Sequence, residues 1–270
     1  MSLGSLNMRQ VHSPGNARSE RARRMNRSSR IVLIVDSNAS MRYYHCLMLM
    51  RLHYVVLTAP SHEEAFLSMK CTVPSIILVS NSPSEESGKD FLNKMRSSDR
   101  LGAVPVIALI DAEDAGTRSD CLKKGYAACL AKPADPHLLY RAIQTITEDV
   151  PREHIRINMS LKALVGPDSA ARGEEKVHYT SMISEGGMYL QTYSPAPKRT
   201  LTPVSLFLME REIRIKAEVL YSSRLDHRTF LQPGMGMKFL EIMNDDRIFL
   251  RSFIREQLVR DIIPEYLRVA

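Results

Sequence analysis

The hydrophobic periodicity changes once along the chain, near residue 150, and this change most restricts the fold. Before it, short apolar runs without polar alternation are separated by segments with helical spacing. Such runs are typical of parallel strands that are covered on both faces. They predict strands at Ile31–Val35, Tyr54–Thr58, Ser75–Val79, Val104–Ile110 and Ala127–Ala131.

The segments between these runs complete a regular strand–helix alternation. Five strands and five helices predict a doubly wound, five-stranded parallel domain of the flavodoxin-like type at residues 30–149. In such a sheet, ligands bind at the carboxyl ends of the strands. The predicted helices are Met41–Leu52, Ser61–Met69, Lys89–Met95, Ala115–Lys124 and Pro136–Thr147.

After residue 150 apolar and polar positions alternate with a period of two, most clearly over residues 213–221. Short strands separated by turns, without helices between them, predict an antiparallel β barrel. A final helix is expected at Asp245–Arg260. The fold class is therefore multidomain α/β plus β, with the second domain at residues 150–262. Further predicted strands are Ile157–Val165, Lys176–Thr180, Met188–Tyr193, Val204–Met209 and Gly236–Glu241.

The net charge of +7 lies almost entirely in the first 30 residues, which hold seven arginines and one acid. A segment rich in Ser, Asn and Arg without apolar periodicity is typical of disorder, so we expect residues 1–29 to form a disordered basic tail. DNA binding through this tail is the weaker alternative. No apolar run reaches the roughly 18 residues of a membrane span, so we expect a cytoplasmic protein without a transmembrane segment. Four scattered cysteines indicate reduced thiols rather than a metal site.

The residues at the predicted strand ends resemble the site of a bacterial response-regulator receiver domain. Asp36 follows the first strand, and Lys132 precedes a proline after the fifth. Members of the receiver family place two adjacent acids after the first strand, a phosphate-accepting Asp after the third, and Thr or Ser after the fourth. Here Ser37 replaces the second acid, Ser80 the acceptor and Ile110 the hydroxyl residue.

These replacements predict a receiver that is not phosphorylated. An acyl phosphate requires a carboxylate nucleophile, and Mg²⁺ requires several carboxylate oxygens. Only Asp36 remains, so we expect neither aspartyl phosphate nor Mg²⁺, and no other metal or cofactor. A direct ion pair between Asp36 and Lys132 is expected at the altered site, because a buried lysine needs an opposite charge. The resemblance then implies a pseudo-receiver that serves protein contacts or dimerisation.

Two motifs in the second half resemble the ligand site of PilZ domains, over about residues 151–260. Arg152 and Arg156 form an Arg-x-x-x-Arg lead-in, and M-I-S-E-G-G begins at Met182. In the family the second motif is Asp or Asn, any residue, Ser, two more residues and Gly. Ser184 and Gly187 match it, whereas Met182 replaces the acidic or amide residue. The resemblance implies that these five residues bind cyclic di-GMP.

The chemistry of this ligand explains the residue types. Cyclic di-GMP carries two phosphates and two guanines with O6 and N7 acceptors, and a guanidinium can bind either group through two parallel hydrogen bonds. We expect Ser184 to donate to a phosphate, and Gly187 to allow a close approach or a positive φ. Met182 offers only a weak acceptor to the guanine N1–H and N2–H₂ donors.

Two functions remain open from the sequence. The first is a non-enzymatic effector in which cyclic di-GMP binds the arginine linker and the receiver contacts an unidentified protein partner. The alternative is a non-binding scaffold that acts only as an interaction module or as a homodimer through the receiver. An enzyme is not indicated, because no nucleophile, base or metal-ligand spacing is evident.

Overall fold

A parallel five-stranded sheet organises the first half of the structure. The computed structural model describes residues 30–80, 86–111, 115–166, 176–223 and 233–262, so the predicted tail at residues 1–29 lies outside the described residues. The strands are β1 (Ile31–Val35), β2 (Val55–Ala59), β3 (Ile76–Ser80), β4 (Val106–Ile110) and β5 (Ala128–Ala131). Their order is β2-β1-β3-β4-β5, and all neighbouring pairs are parallel.

Helices cover both faces of this sheet. They are α1 (Ala39–Arg51), α2 (His62–Cys71), α3 (Glu86–Arg96), α4 (Ala115–Lys123) and α5 (Pro136–Thr147). Val32 and Ile34 of β1 share a core with α1 and α5, whereas Leu33 and Val35 share another with α2, α3 and α4. Because side chains alternate between the faces of a strand, burial on both faces requires the continuous apolar runs seen in the sequence.

Helix α5 begins at a well-defined cap. The Asp135 side chain accepts hydrogen bonds from the backbone N–H groups of His137 and Leu138, at 2.9 and 3.1 Å. Pro136 occupies the first turn, where its missing N–H costs no helical hydrogen bond. The cap therefore fixes the start of α5, which faces the second half of the chain.

Six antiparallel strands of the second half close into a barrel. The described part of this half has seven strands, of which all but the first belong to the barrel: β6 (Arg156–Ile157), β7 (Lys162–Val165), β8 (Lys176–Ser184), β9 (Gly187–Gln191), β10 (Leu201–Leu208), β11 (Arg211–Ser223) and β12 (Gly234–Ile242). The ring runs β8-β7-β10-β11-β12-β9 and returns to β8, while β6 pairs with the end of β8. The predicted strand Ile157–Val165 is thus two short strands along the same neighbour.

A last helix, α6 (Asn244–Val259), packs between the barrel and two helices of the first domain. It packs against α1, α5 and β8, and its apolar side chains share one hydrophobic cluster with α1, α5 and the barrel. At its end, Arg51 of α1 donates to the carbonyls of Gln257, Leu258 and Arg260 at 3.0, 3.0 and 2.8 Å. These carbonyls have no partner within a helix, so Arg51 acts as a cap from the other half of the molecule.

The predicted fold class is confirmed: a five-stranded flavodoxin-like sheet precedes an antiparallel barrel with a C-terminal helix. The largest difference lies in β8, which continues past Thr180 to Ser184 because it pairs with β9 up to the turn. The predicted boundary between residues 149 and 150 falls between α5 and β6 and stays a prediction. Within the described ranges no helix is long and apolar enough to cross a membrane.

His45 of α1 provides a test of the first core. Its ring is fully buried, and Nε2 accepts a hydrogen bond from the Ala134 N–H at 3.2 Å. An accepting nitrogen carries no proton, so the imidazole is neutral. Burial accordingly lowers the pKa of His45 from 6.5 to about 4.

The free energy of unfolding should therefore fall as the pH drops from about 6.5 to 4, because the unfolded chain gains a proton that folded His45 excludes. The loss from this residue is roughly 3 kcal/mol, at about 1.4 kcal/mol per pKa unit. His45→Gln keeps an acceptor for Ala134 but does not titrate, so it should show a weaker pH dependence in denaturant titrations across this window. Equal slopes for the variant and the wild type would contradict a buried neutral histidine.

Candidate functional site

The carboxyl ends of the parallel strands hold the residues that the sequence identified as an altered receiver site. Asp36 directly follows β1, Ser80 ends β3, Ile110 ends β4 and Lys132 directly follows β5. Ser37 is exposed beside Asp36. Ile110 packs in the core and offers no polar group to the site.

Lys132 is satisfied by partners other than the predicted one. Its Nζ lies 2.8 Å from Asp111 Oδ1 and donates to Ser80 Oγ, also at 2.8 Å. The expected direct ion pair between Asp36 and Lys132 is wrong, because Asp111, immediately after β4, supplies the opposite charge. The sequence position of Asp111, at a strand end next to Ile110, was the signal that would have identified it.

Asp36 is a buried carboxylate with incomplete hydrogen bonding. Its Oδ1 accepts from the Asn38 N–H at 2.8 Å, whereas Oδ2 has no hydrogen-bond partner among the described residues, and the residue is 2% exposed. Burial raises the pKa of Asp36, and the Asn38 hydrogen bond and the charge of Lys132 lower it by less. The Mg²⁺ of the receiver family does not fit these residues, because Asp111 already pairs with Lys132 and Asp36 alone cannot offset a divalent charge.

In the barrel, all five residues of the predicted nucleotide site line a single cleft of about 270 Å³. The segment before β6 forms one wall, and the turn between β8 and β9 forms another. Register explains this proximity, because Arg156 of β6 lies opposite Ser184 of β8, and Met182 of β8 lies opposite Tyr189 of β9. The residues in question are Arg152, Arg156, Met182, Ser184 and Gly187.

The two arginines present unpaired charges to this cleft. Both are partly buried, and within the described part of the chain neither guanidinium makes a hydrogen bond or an ion pair. Lys238 of β12, which the sequence analysis missed, lines the same cleft and is exposed. Glu153 is the one acid among the described lining residues, and its side chain is almost fully exposed. The cleft is therefore cationic and suited to anions.

The turn between β8 and β9 differs from expectation in two details. The Ser184 hydroxyl is buried and donates to the Gly187 carbonyl at 2.9 Å, so it holds the turn together rather than facing a ligand. Gly187 has no positive φ; a Cβ there would lie 2.3 Å from the Met237 carbonyl oxygen. The close approach that requires glycine is thus to the neighbouring strand β12, not to a ligand.

His154 packs the arginine segment onto this turn. Its ring lies against Gly186, where a Cβ would come within 2.5 Å of His154 Cδ2. Gly186 therefore allows the two walls of the cleft to meet. No sequence signal marked His154, because the Arg-x-x-x-Arg motif restricts only its two arginines.

Soft and aromatic side chains line the remainder of the cleft. Met182 is partly buried, and Met188 and Met237 line the same cleft. Tyr189 and Tyr221 lie with ring centroids 6.2 Å apart, and the Tyr221 ring covers Gly236, where a Cβ would clash at 2.3 Å. Such surfaces can pack against flat rings. The cleft thus combines cations for phosphate with apolar groups for a base.

Glu185, inside the same turn, points away from the cleft toward the first domain. Its side chain is 4% exposed; Oε2 lies 2.8 and 2.7 Å from Nε and Nη2 of Arg251 in α6, and Oε1 lies 3.2 Å from His137 Nε2 in α5. Burial opposes ionisation, but the hydrogen bond and charge of Arg251 outweigh it, so the pKa of Glu185 lies below its usual value. No sequence signal marked this residue, because its position in the motif is unrestricted.

Comparison with known proteins identifies the first domain. Residues 32–144 match the family described as "Response regulator receiver domain", and this part of the chain is a receiver domain. One curated relative is "Hybrid signal transduction histidine kinase D" of Dictyostelium discoideum, 23% identical over 48% of this chain and 8% of that protein. Another is the "Uncharacterized 14.6 kDa protein in sodA1 3'region" of Leptolyngbya boryana, 26% identical over 42% of this chain and 86% of that protein.

Two solved structures illustrate the similarity to known folds. A response regulator receiver protein from Pseudomonas putida is 26% identical, with a TM-score of 0.38, over 43% of this chain and 96% of that chain. The inhibitor of motility MotI/DgrA of Bacillus subtilis is 20% identical, with a TM-score of 0.35, over 41% of this chain and 53% of that chain. The chain thus spans about half the length of the motility inhibitor and a small fraction of the histidine kinase.

The buried charge of Asp36 makes a prediction about stability. A folded-state pKa above the unfolded value means that stability is lost as the pH rises through the folded pKa. Asp36→Asn keeps the acceptor for Asn38 and removes this loss, so its melting temperature should exceed that of the wild type near pH 7.5, and the gain should shrink toward pH 4. Asp149→Asn, at an exposed position, serves as the control and should show no gain. A destabilised Asp36→Asn at neutral pH would contradict this assignment.

Proposed function

We propose that this chain is a cytoplasmic, non-enzymatic signalling effector whose barrel is a PilZ domain that binds cyclic di-GMP. The observation that carries the proposal is the convergence of Arg152 and Arg156, both unpaired within the described residues, on one cleft with the M-I-S-E-G-G turn. Arg156 and Met182 are 26 positions apart in the sequence. They line one cationic cleft because the pairing of β6 with β8 brings the two motifs together. A dianionic ligand supplies the charge that these cations lack.

The residues divide the recognition of such a ligand between them. Arg152 and Arg156 bind phosphate or the O6/N7 edge of guanine through paired N–H donors, and Lys238 adds a third positive charge. Met182 and the tyrosines pack against the purine rings. Ser184 contributes through the shape of the turn, since its hydroxyl is bonded to Gly187.

The receiver domain, in this proposal, transmits the signal without phosphorylation. Ser80 stands at the acceptor position, and Lys132 is neutralised by Asp111. An acyl phosphate cannot form on a serine. The receiver therefore acts through its surface, which contacts an unidentified protein partner or a second copy of the chain.

A second function, a scaffold that does not bind nucleotide, is favoured by two specific observations. Met182 replaces the side chain that would accept the guanine N1–H and N2–H₂ donors, and the Ser184 hydroxyl is already engaged. Loss of such a contact costs about 1–3 kcal/mol, or roughly one to two decades of affinity. Calorimetry separates the two functions, because weakened binding still gives saturable heat and absent binding gives none.

Isothermal titration of the full chain with cyclic di-GMP tests the proposal. We expect saturable heat from the wild type, and Arg156→Ala should weaken binding at least tenfold, because a charge-assisted hydrogen bond contributes about 1.5–3 kcal/mol. Arg214→Ala removes an exposed arginine that does not line the cleft and should bind like the wild type. No heat and no rise in melting temperature at saturating ligand would leave the scaffold function.

Met182→Asp tests the register of the motif. The new carboxylate can accept the guanine N1–H and N2–H₂ donors, so affinity for cyclic di-GMP should rise, by up to about tenfold, or stay unchanged. Leu220→Asp, at an exposed position that also lines the cleft, is the matched control and should not increase affinity. Met188→Asp would not serve, because Met188 is buried. Much weaker binding by Met182→Asp would show that residue 182 does not face a guanine edge.

A further inference from the structure

We infer that helix α5 of the receiver positions both walls of the nucleotide cleft, with Gln144 and His137 as the positioning residues. The inference rests on the proposed function for the identity of the ligand. It goes beyond that function, because the receiver becomes a structural part of the binding site as well as an output surface.

The first wall is held by Gln144. This residue is 3% exposed, its Oε1 accepts a hydrogen bond from the Arg152 backbone N–H at 3.1 Å, and its Nε2 donates to the Tyr54 hydroxyl at 3.0 Å. A buried amide bonded at both ends has little freedom to rotate. Gln144 therefore fixes the backbone from which the Arg152 guanidinium extends.

The second wall is held by His137. Its Nε2 donates to Glu185, since an ionised carboxylate can only accept, and Glu185 lies directly between Ser184 and Gly186 of the turn. Arg251 of α6 binds the other oxygen of Glu185. The turn is thus attached to the receiver through a nearly buried carboxylate, where an ionic hydrogen bond is stronger than at the surface.

His137 and Gln144 hold the two walls of the cleft from the same face of one helix. His137 and Gln144 are seven residues apart, which is about two turns and about 10 Å along one face of α5. Arg255 of α6 also binds Asp135, the cap of α5, at 3.0 Å, so the start of the helix is held from the barrel side. The distance between the arginine segment and the turn is consequently set by a rigid element of the receiver.

Paired variants of the full-length chain separate positioning from general stability. His137 is partly exposed, so its substitution should leave the fold intact. His137→Leu removes the donor to Glu185 and should weaken cyclic di-GMP binding roughly 5- to 20-fold, which is less than the full effect of one hydrogen bond to a charged group because His137 acts on the ligand only through the turn. His137→Gln keeps an N–H donor and should restore most of the affinity. Leu138→Ala, at the exposed neighbouring position, should have no effect.

The other wall is tested in the same way. Gln144→Leu loses the bond to Arg152 and should weaken binding to a similar extent. Tyr54→Phe removes the other hydrogen bond of Gln144 but leaves the bond to Arg152, so it should bind more tightly than Gln144→Leu.

Amide hydrogen exchange of the ligand-free chain supplies a readout that does not depend on the nucleotide. Exchange in residues 184–187 should be faster in His137→Leu than in His137→Gln, and exchange near Arg152 should be faster in Gln144→Leu than in Tyr54→Phe. If cyclic di-GMP gives no heat with the wild type, the proposed function fails and the exchange rates decide the positioning role. Wild-type affinity in His137→Leu and Gln144→Leu, or unchanged exchange, would overturn the inference while leaving the proposed function in place.

Discussion

The ion pair between the nearly buried Glu185 carboxylate and the exposed Arg251 guanidinium is the interaction on which the arrangement of this molecule depends. The carboxylate belongs to the turn of the barrel, the guanidinium to α6, and the same carboxylate reaches His137 of the receiver. Removing Arg251 would leave the nearly buried Glu185 carboxylate without this cation, and a buried charge without its counter-charge is costly. The three elements are therefore constrained to stay together, and the hydrophobic cluster that they share is continuous across both halves.

This constraint gives the altered receiver site a physical interpretation. A working receiver changes its surface when an acceptor aspartate gains a phosphate, whereas here Lys132 is held by Ser80 and Asp111 without one. The charge of Lys132 is thereby balanced without an added phosphate. The face formed by α1 and α5 packs on α6, and α5 is bonded to Arg152 at the proposed nucleotide cleft.

The local hydrophobic pattern of the sequence was sufficient to predict both domains. The features that it could not predict depend on contacts between residues that are remote in sequence. Apolar runs and two-residue alternation identified both sheets because each strand is buried on a characteristic number of faces. The motif residues that line the cleft were also found, since their spacing is local. Glu185 and Asp111 were missed as partners because their roles depend on His137 and Lys132, which are remote in sequence. Ser184 was assigned to a ligand, although its nearest acceptor is three residues away.

In the proposed function, the ligand site and the receiver form one cooperative structure. Differential scanning calorimetry of the full chain with and without cyclic di-GMP tests it most directly, because a ligand that binds only the folded state raises the melting temperature of whatever unfolds with its site. The account predicts one transition that shifts upward as a whole when ligand is added. Two transitions of which the nucleotide moves only one, with the receiver melting unchanged, would contradict it.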